Sequence, residues 1–166
     1  MPTPGHEVVI WGCRVDDLKA SITINRRAWP AAKSRPHMGS PDKLSQFFDG
    51  LRASPQERFV AAYLDTHCCV LAWSEIGVGS DRQVVVNPSD IFRPAILLGS
   101  GRIAVVHNHP TGNPHPSEED QAMTSRLVRA GRVVGIEVLD HVVLGEGESY
   151  FSFKTNGCID DRSEED

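Results

Sequence analysis

The stretch RIAVVHNHPTGNPHPSEED, Arg102 to Asp120, decides how this chain folds. Its first part, Arg102 to Val106, is an almost unbroken apolar run, as expected for a strand buried on both faces. Pro110, Pro114 and Pro116 stiffen the turn that follows, and Gly112 and Asn113 tolerate positive φ within it. Ser117, Glu118, Glu119 and Asp120 then form an S-x-x-D pattern close to a capping box, with acids suited to a helix N-terminus. Strand, rigid turn and helix therefore follow one another directly. His107 and His109, one residue apart at the strand's end, point to the same side of it. Asp120 arrives eleven residues after His109. Two imidazoles and a carboxylate can thus gather around one metal ion, with a coordination position left open for water. That chemistry is hydrolytic.

Each of these residues also has a structural explanation. Ser117 and Asp120 read on their own as a helix cap. A single histidine at a strand end reads as a satisfied core residue, but two imidazoles there would each need separate partners. Asn108 reads as loop-shaping, and His115, between two prolines, as a loop residue rather than a ligand. A water on the metal needs a group that takes and returns its protons. Glu75, closing the strand-like run CCVLAWSE before Gly77 and Gly79, is the choice for that role.

Outward from this centre the pattern alternates between strands and helices. Ser40-Pro41-Asp42 opens a helix, and Leu44, Phe47, Phe48 and Leu51 form its apolar stripe. Pro55-Gln56-Glu57 precedes the β-run RFVAAYLD, in which Phe59, Ala61 and Tyr63 share a face. Asp65-Thr66-His67 is a turn leading to a return strand, with His67 facing solvent. Gln83 to Val86 is a short strand, and Asn87-Pro88-Ser89-Asp90 caps a helix through Ile91, Ala95 and Leu98 that ends at Gly99 and Gly101. Beyond Ser117 a helix runs to about Ala130 with Gly131 as its stop. Val133 to Leu139, His141 to Gly145 and Tyr150 to Lys154 are strands. The fold class is α/β of the α+β type, a single domain with a mixed central sheet flanked by helices and a hairpin at either end.

Composition bounds the partners. The chain of 166 residues has 40% hydrophobic and 23% charged residues, ordinary for a globular domain. The net charge is −5, and the final DDRSEED, with five acids against one arginine, holds nearly all of it. The body is close to neutral and lacks the basic surplus of a protein that grips phosphates. Arg26, Arg27, Lys33 and Arg35 cluster with Trp29 in the N-terminal segment, a nucleic-acid arm or an extension that packs on the domain. Short strands are expected there at Val8 to Trp11 and Ser21 to Ile24. The division expected is an extension over 1–39, the domain over 40–155 and an acidic tail over 156–166. Cys13, Cys68, Cys69 and Cys158 have no C-x-x-C spacing and read as reduced thiols. No signal peptide or apolar run of membrane-spanning length is visible, which places the chain in the cytoplasm with no membrane partner.

Taken together, Glu75 followed by H-x-H-x7-S-x2-D at His107, His109, Ser117 and Asp120 resembles the JAMM motif of MPN/JAB-domain metalloproteases. The run from about Ser40 to Lys154 resembles the JAB domain of bacterial RadC-like proteins in HNHPTGNPHPSEED, AMTSRLVRAGRVVGI, VLDHVVLGEG and Ser152-Phe153. The resemblance implies an MPN/JAB-like fold with Zn2+ as cofactor, held by His107, His109 and Asp120 with water in the fourth place. It further implies Glu75 as general acid/base, Ser117 as oxyanion stabiliser, and a peptide or protein substrate cleaved as a peptidase or isopeptidase. Asp140 and His141 are either a shell behind the ligands or an ordinary buried pair. Two departures stand out. Residues 1–39 are too short for the helical region of longer RadC-like proteins, and Thr111 stands where serine is common. The alternatives are a DNA-repair or mobile-element-associated protein, with the metal serving a nuclease, and a metal-binding module without turnover. Oligomeric state is not legible.

Overall fold

A computed structural model of the protein describes residues 35–79 and 86–159. The apolar run forms strand β3 (Arg102–Asn108), at the centre of a five-stranded sheet. On one side β3 pairs antiparallel with β1 (Arg58–Leu64), which turns back into β2 (Val70–Val78). On the other side it pairs parallel with β4 (Glu137–Leu144), which is joined in a hairpin to β5 (Tyr150–Ser152). The order is β2-β1-β3-β4-β5, a mixed sheet with a hairpin at each end. The fold class read from the sequence is therefore the one observed.

Burial on both faces explains why β3 is so apolar. Ile103 and Val105 pack with Ile91 and Phe92 of helix α2 (Pro88–Leu97) and with Leu127 of helix α3 (Glu118–Val134). Ala104 and Val106 pack on the opposite face with Leu44 of helix α1 (Pro41–Phe47) and with Phe48. His107 continues the first set and Asn108 the second, because side chains alternate along a strand. The first helix stops sooner than its stripe suggested. It gives way at Phe48 to a 3-10 turn over Asp49–Ala53, which carries Leu51 into the core.

Several boundaries differ from expectation. Gly131 does not stop α3, which continues to Val134 and ends at Gly135 in the left-handed region, φ 72°. Gly131 serves close packing instead: a Cβ there would lie 2.4 Å from the Ile136 carbonyl oxygen. Val133 and Val134 are consequently helical, and the two strands expected over 133–145 are the single strand β4. β2 begins at Val70 rather than at the cysteines, since Cys68 turns at φ 58°. Asp65 Oδ1 holds that turn by accepting from the amides of His67 and Cys69, both at 2.9 Å, and His67 is exposed at its tip. The strands expected at Val8 to Trp11, Ser21 to Ile24 and Gln83 to Val86 lie outside the described residues, except for Val86, which is buried and not in a strand. Of the basic cluster, only Arg35 is described, and it pairs with Asp65 at 3.1 Å. Cys68, Cys69 and Cys158 are free thiols. Among the described residues no helix is long and apolar enough to cross a membrane.

Candidate metal centre

Three elements aim the candidate ligands at one point. β3 presents His107 on the face covered by α3, the turn after it presents His109, and the first turn of α3 presents Asp120. The turn is fastened to β4: His109 N–H donates to the Leu144 carbonyl at 2.9 Å and Glu146 N–H to that of Gly112 at 2.8 Å. The sequence-level capping box forms in full. The Ser117 hydroxyl accepts from Asp120 N–H at 3.1 Å, and Asp120 Oδ2 accepts from Ser117 N–H at 2.8 Å and from its hydroxyl at 2.7 Å. The capping contact thus also sets where the Asp120 carboxylate stands relative to the histidines.

The ligand atoms lie close together. His107 Nε2 is 3.0 Å from His109 Nε2 and 3.3 Å from Asp120 Oδ1, and His109 Nε2 is 3.4 Å from Asp120 Oδ2. Ligands about 2.0–2.1 Å from a tetrahedral zinc ion stand about 3.3 Å apart, so the spacing suits such an ion. His107 is fully buried, while His109 and the exposed Ser117 open the centre to solvent on one side.

For neutral imidazoles, the hydrogen-bond partners fix which ring nitrogen donates. The Thr124 hydroxyl donates to the Asp120 carbonyl at 2.6 Å and also lies 2.6 Å from His141 Nδ1. With its hydrogen so engaged, it must accept from His141 Nδ1–H. His141 Nε2 then accepts from His107 Nδ1–H at 2.8 Å, leaving a lone pair on His107 Nε2. His109 Nδ1 donates to the Asn113 carbonyl at 2.8 Å, which leaves a lone pair on His109 Nε2 as well. With both rings neutral, two nitrogen lone pairs and a carboxylate converge, an arrangement that a cation satisfies. Phe59 stacks on His107 and Phe153 on His141, holding both rings in plane.

Without metal, protons compete for the same Nε2 atoms. The hydrogen bond to Asp120 is the largest influence on His109 and raises its proton affinity, against the opposing effect of burial; the Asn113 carbonyl and the charges of Asp120 and Glu57 add to it. Burial would raise the Asp120 carboxyl, but hydrogen bonds from His107 and His109 outweigh it and hold it well below the usual carboxylate range. Burial drives His141 well below an ordinary imidazole, so the ring is neutral.

Not every candidate joins this centre. Glu75 does not. It faces Val60, whose side chain lies on the α1 side of the sheet, whereas His107 faces Phe59 on the α3 side. The β1–β2 ladder bulges between Phe59–Gly77 and Val60–Glu75, and Glu75 is exposed there, bound by Arg58 through two hydrogen bonds of 2.5 and 2.8 Å. His115 is exposed, its ring 6.2 Å from that of Phe151. Asp140 is not paired with the His141 ring. It accepts from the amides of His141 and Lys154 and from the Ser152 hydroxyl, pinning β4 to β5, and burial raises its pKa. Of Asp140 and His141, it is His141 that stands behind the candidate ligands.

Glu57 was missed. Continuing the pairing of Phe59 with His107 by two residues places Glu57 opposite His109 and on the same face. The alternation through Phe59, Ala61 and Tyr63 was the available signal. It becomes informative only once β1 is known to lie beside β3. A surface cavity of about 440 Å³ on the α1 side, lined by Asp42, Asp49, Arg52 and Tyr150 among others, contains none of these residues.

Comparison with known sequences gives the family. The model of the RadC-like JAB domain matches residues 38–158. The chain belongs to the RadC-like JAB domain family. Similar curated proteins include the UPF0758 proteins of Shouchella clausii, 37% identical across 85% of this chain, and of Clostridioides difficile, 34% identical across 86%. Another, from Methanosarcina acetivorans, is 36% identical across 71% of this chain. The alignments cover 62%, 60% and 51% of those relatives, so the chain spans less than two thirds of their length. Within the JAB domain, His107, His109 and Asp120 form a group able to hold a metal ion.

Proposed function

We propose that this JAB domain is a zinc-dependent hydrolase of the JAMM type, a peptidase or isopeptidase acting on a peptide or protein substrate. In this reading Glu57, in place of Glu75, carries the proton. The observation that carries it is the convergence of two Nε2 atoms and one carboxylate within 3.0–3.4 Å, beside a strand end that bears a second carboxylate. Zinc bound there would lower the pKa of its water to about 7 and polarise a scissile carbonyl.

The protein's own residues do the rest. Glu57, facing His109, takes a proton from the attacking water and delivers it to the departing amine. Ser117 is exposed, and its hydroxyl can turn from Asp120 towards an oxyanion developing on the substrate. Asp120 remains ionised throughout. The test is a screen of peptides and ubiquitin-like conjugates against the zinc-loaded protein. Cleavage should fall about 10²–10⁴-fold in Glu57→Gln, typical of losing a general base, with zinc retained. Glu75→Gln should stay within a few-fold of the parent. An active Glu57→Gln would refute the assignment, and an inactive Glu75→Gln would return the role to Glu75.

A further inference from the structure

Asn108 lies between the two histidines in sequence but projects to the opposite face. Its residue is 1% exposed, and a buried primary amide must find partners for an acceptor oxygen and two donor hydrogens. It finds all three in one short segment. Oδ1 accepts from Arg58 N–H at 2.9 Å, and Nδ2 donates to the carbonyls of Gln56 at 3.1 Å and Ser54 at 3.3 Å. The Gln56 carbonyl belongs to the peptide unit entering Glu57, and the Arg58 N–H to the peptide unit leaving it. The amide therefore grips both peptide planes that flank the Glu57 Cα.

We infer that Asn108 is a positioning residue that holds Glu57 against the metal centre, an inference resting on the reading of Glu57 above. Glu57 sits just before β1 begins, so ladder bonds do not fix the peptide entering it. The backbone beyond it is tied through its carbonyl, which accepts from Gly79 N–H at 2.8 Å. The approach from Pro55 is held locally by the Ser54 hydroxyl, which donates to the Gln56 carbonyl at 2.8 Å and accepts from Gln56 N–H at 3.2 Å, and Asn108 ties that turn to the end of β3. Because side chains alternate, one three-residue strand end sends both histidines to the metal and its middle residue to the glutamate's backbone. Ligands and proton carrier are thereby set in mutual register. An aspartate could not substitute, since it offers no donor to the two carbonyls.

The experiment uses the 166-residue chain loaded with Co2+ and follows its visible absorption against pH. A carboxylate beside the ion resists a second negative charge there, so Glu57→Gln should lower the midpoint by about one pH unit. Asn108→Ala should bind one cobalt ion and lower the midpoint in the same direction. Asn108→Ser, which can keep only one of the three bonds, should do so by less. In the Glu57→Gln background Asn108→Ala should add nothing. A parental midpoint in Asn108→Ala, or a shift that adds fully to that of Glu57→Gln, would overturn the inference alone. A midpoint unmoved by Glu57→Gln would overturn the Glu57 reading and the inference with it. Should Asn108→Ala not fold, Asn108→Ser decides by the same criteria.

Discussion

His109 is the residue on which pH acts most directly. Its proton affinity is raised above the ordinary 6.5, and that of Asp120 is held below the ordinary 3.8. Without metal, the contribution of His109 to folding is complete below pH 6.5 and is lost as pH rises through its raised value. That of Asp120 is present above 3.8 and is lost as pH falls through its depressed value. The two overlap fully only between those ordinary values. Metal needs the unprotonated ring, so its affinity should rise with pH through the raised value of His109. Chelator competition at pH 5.5 and 8 should show much tighter binding at the higher pH, and equal affinities would contradict the His109 assignment. Ser117→Ala tests a residue with two duties. Loss of the cap should cost about 1 kcal/mol of stability. Loss of an oxyanion donor should reduce turnover about 10²–10³-fold with metal retained. At this scale the two histidines and Asp120 were legible from their spacing, whereas spacing showed Ser117 only as a helix cap and its site role came with the family resemblance. Glu57 was not, since its position depends on which strand lies beside β3.

At the scale of elements, α3 carries both a ligand and the Thr124 hydroxyl behind His107, so its seating on the sheet matters. Gly131 provides that seating and Gly135 ends the helix. Gly131→Ala drives a methyl into the Ile136 carbonyl, and overpacking of this kind costs about 1–3 kcal/mol. Gly135→Ala meets open space but keeps φ at 72°, a left-handed strain of about 1–2 kcal/mol. Both should lower the denaturant midpoint. Only Gly131→Ala should also weaken metal binding, because it displaces Thr124 relative to His141. Equal metal affinity in the two variants would argue against that coupling. Periodicity showed that the helix existed, but not its end. A glycine before two valines reads as a stop, and only packing against β4 reveals it as a close approach. The same packing merged two expected strands into one, with Asp140 tying its middle to the β5 hairpin.

For the whole molecule, the sheet buries apolar side chains on both faces, and the buried candidate ligands His107 and Asp120 are held by the protein's own hydrogen bonds to His141 and Ser117. The fold should therefore survive chelation. Metal would add stability by mass action, about 2.7 kcal/mol when free zinc is a hundredfold above its dissociation constant. Chelated protein should still unfold cooperatively, at a lower temperature than the zinc form; unfolding on chelation would show that the core depends on the ion. The mixed sheet and its flanking helices were legible because an apolar β-run, a rigid turn and a capped helix lie in sequence around one strand. All of this chemistry requires that His107, His109 and Asp120 form one open metal centre. The most direct test of that requirement is the zinc content of the purified chain after equilibration with zinc and removal of the excess. One zinc ion per chain is predicted in the parent, in Glu57→Gln and in Glu75→Ala, and none in His109→Ala. A parent without zinc, or a His109→Ala variant that keeps its full complement, would contradict it.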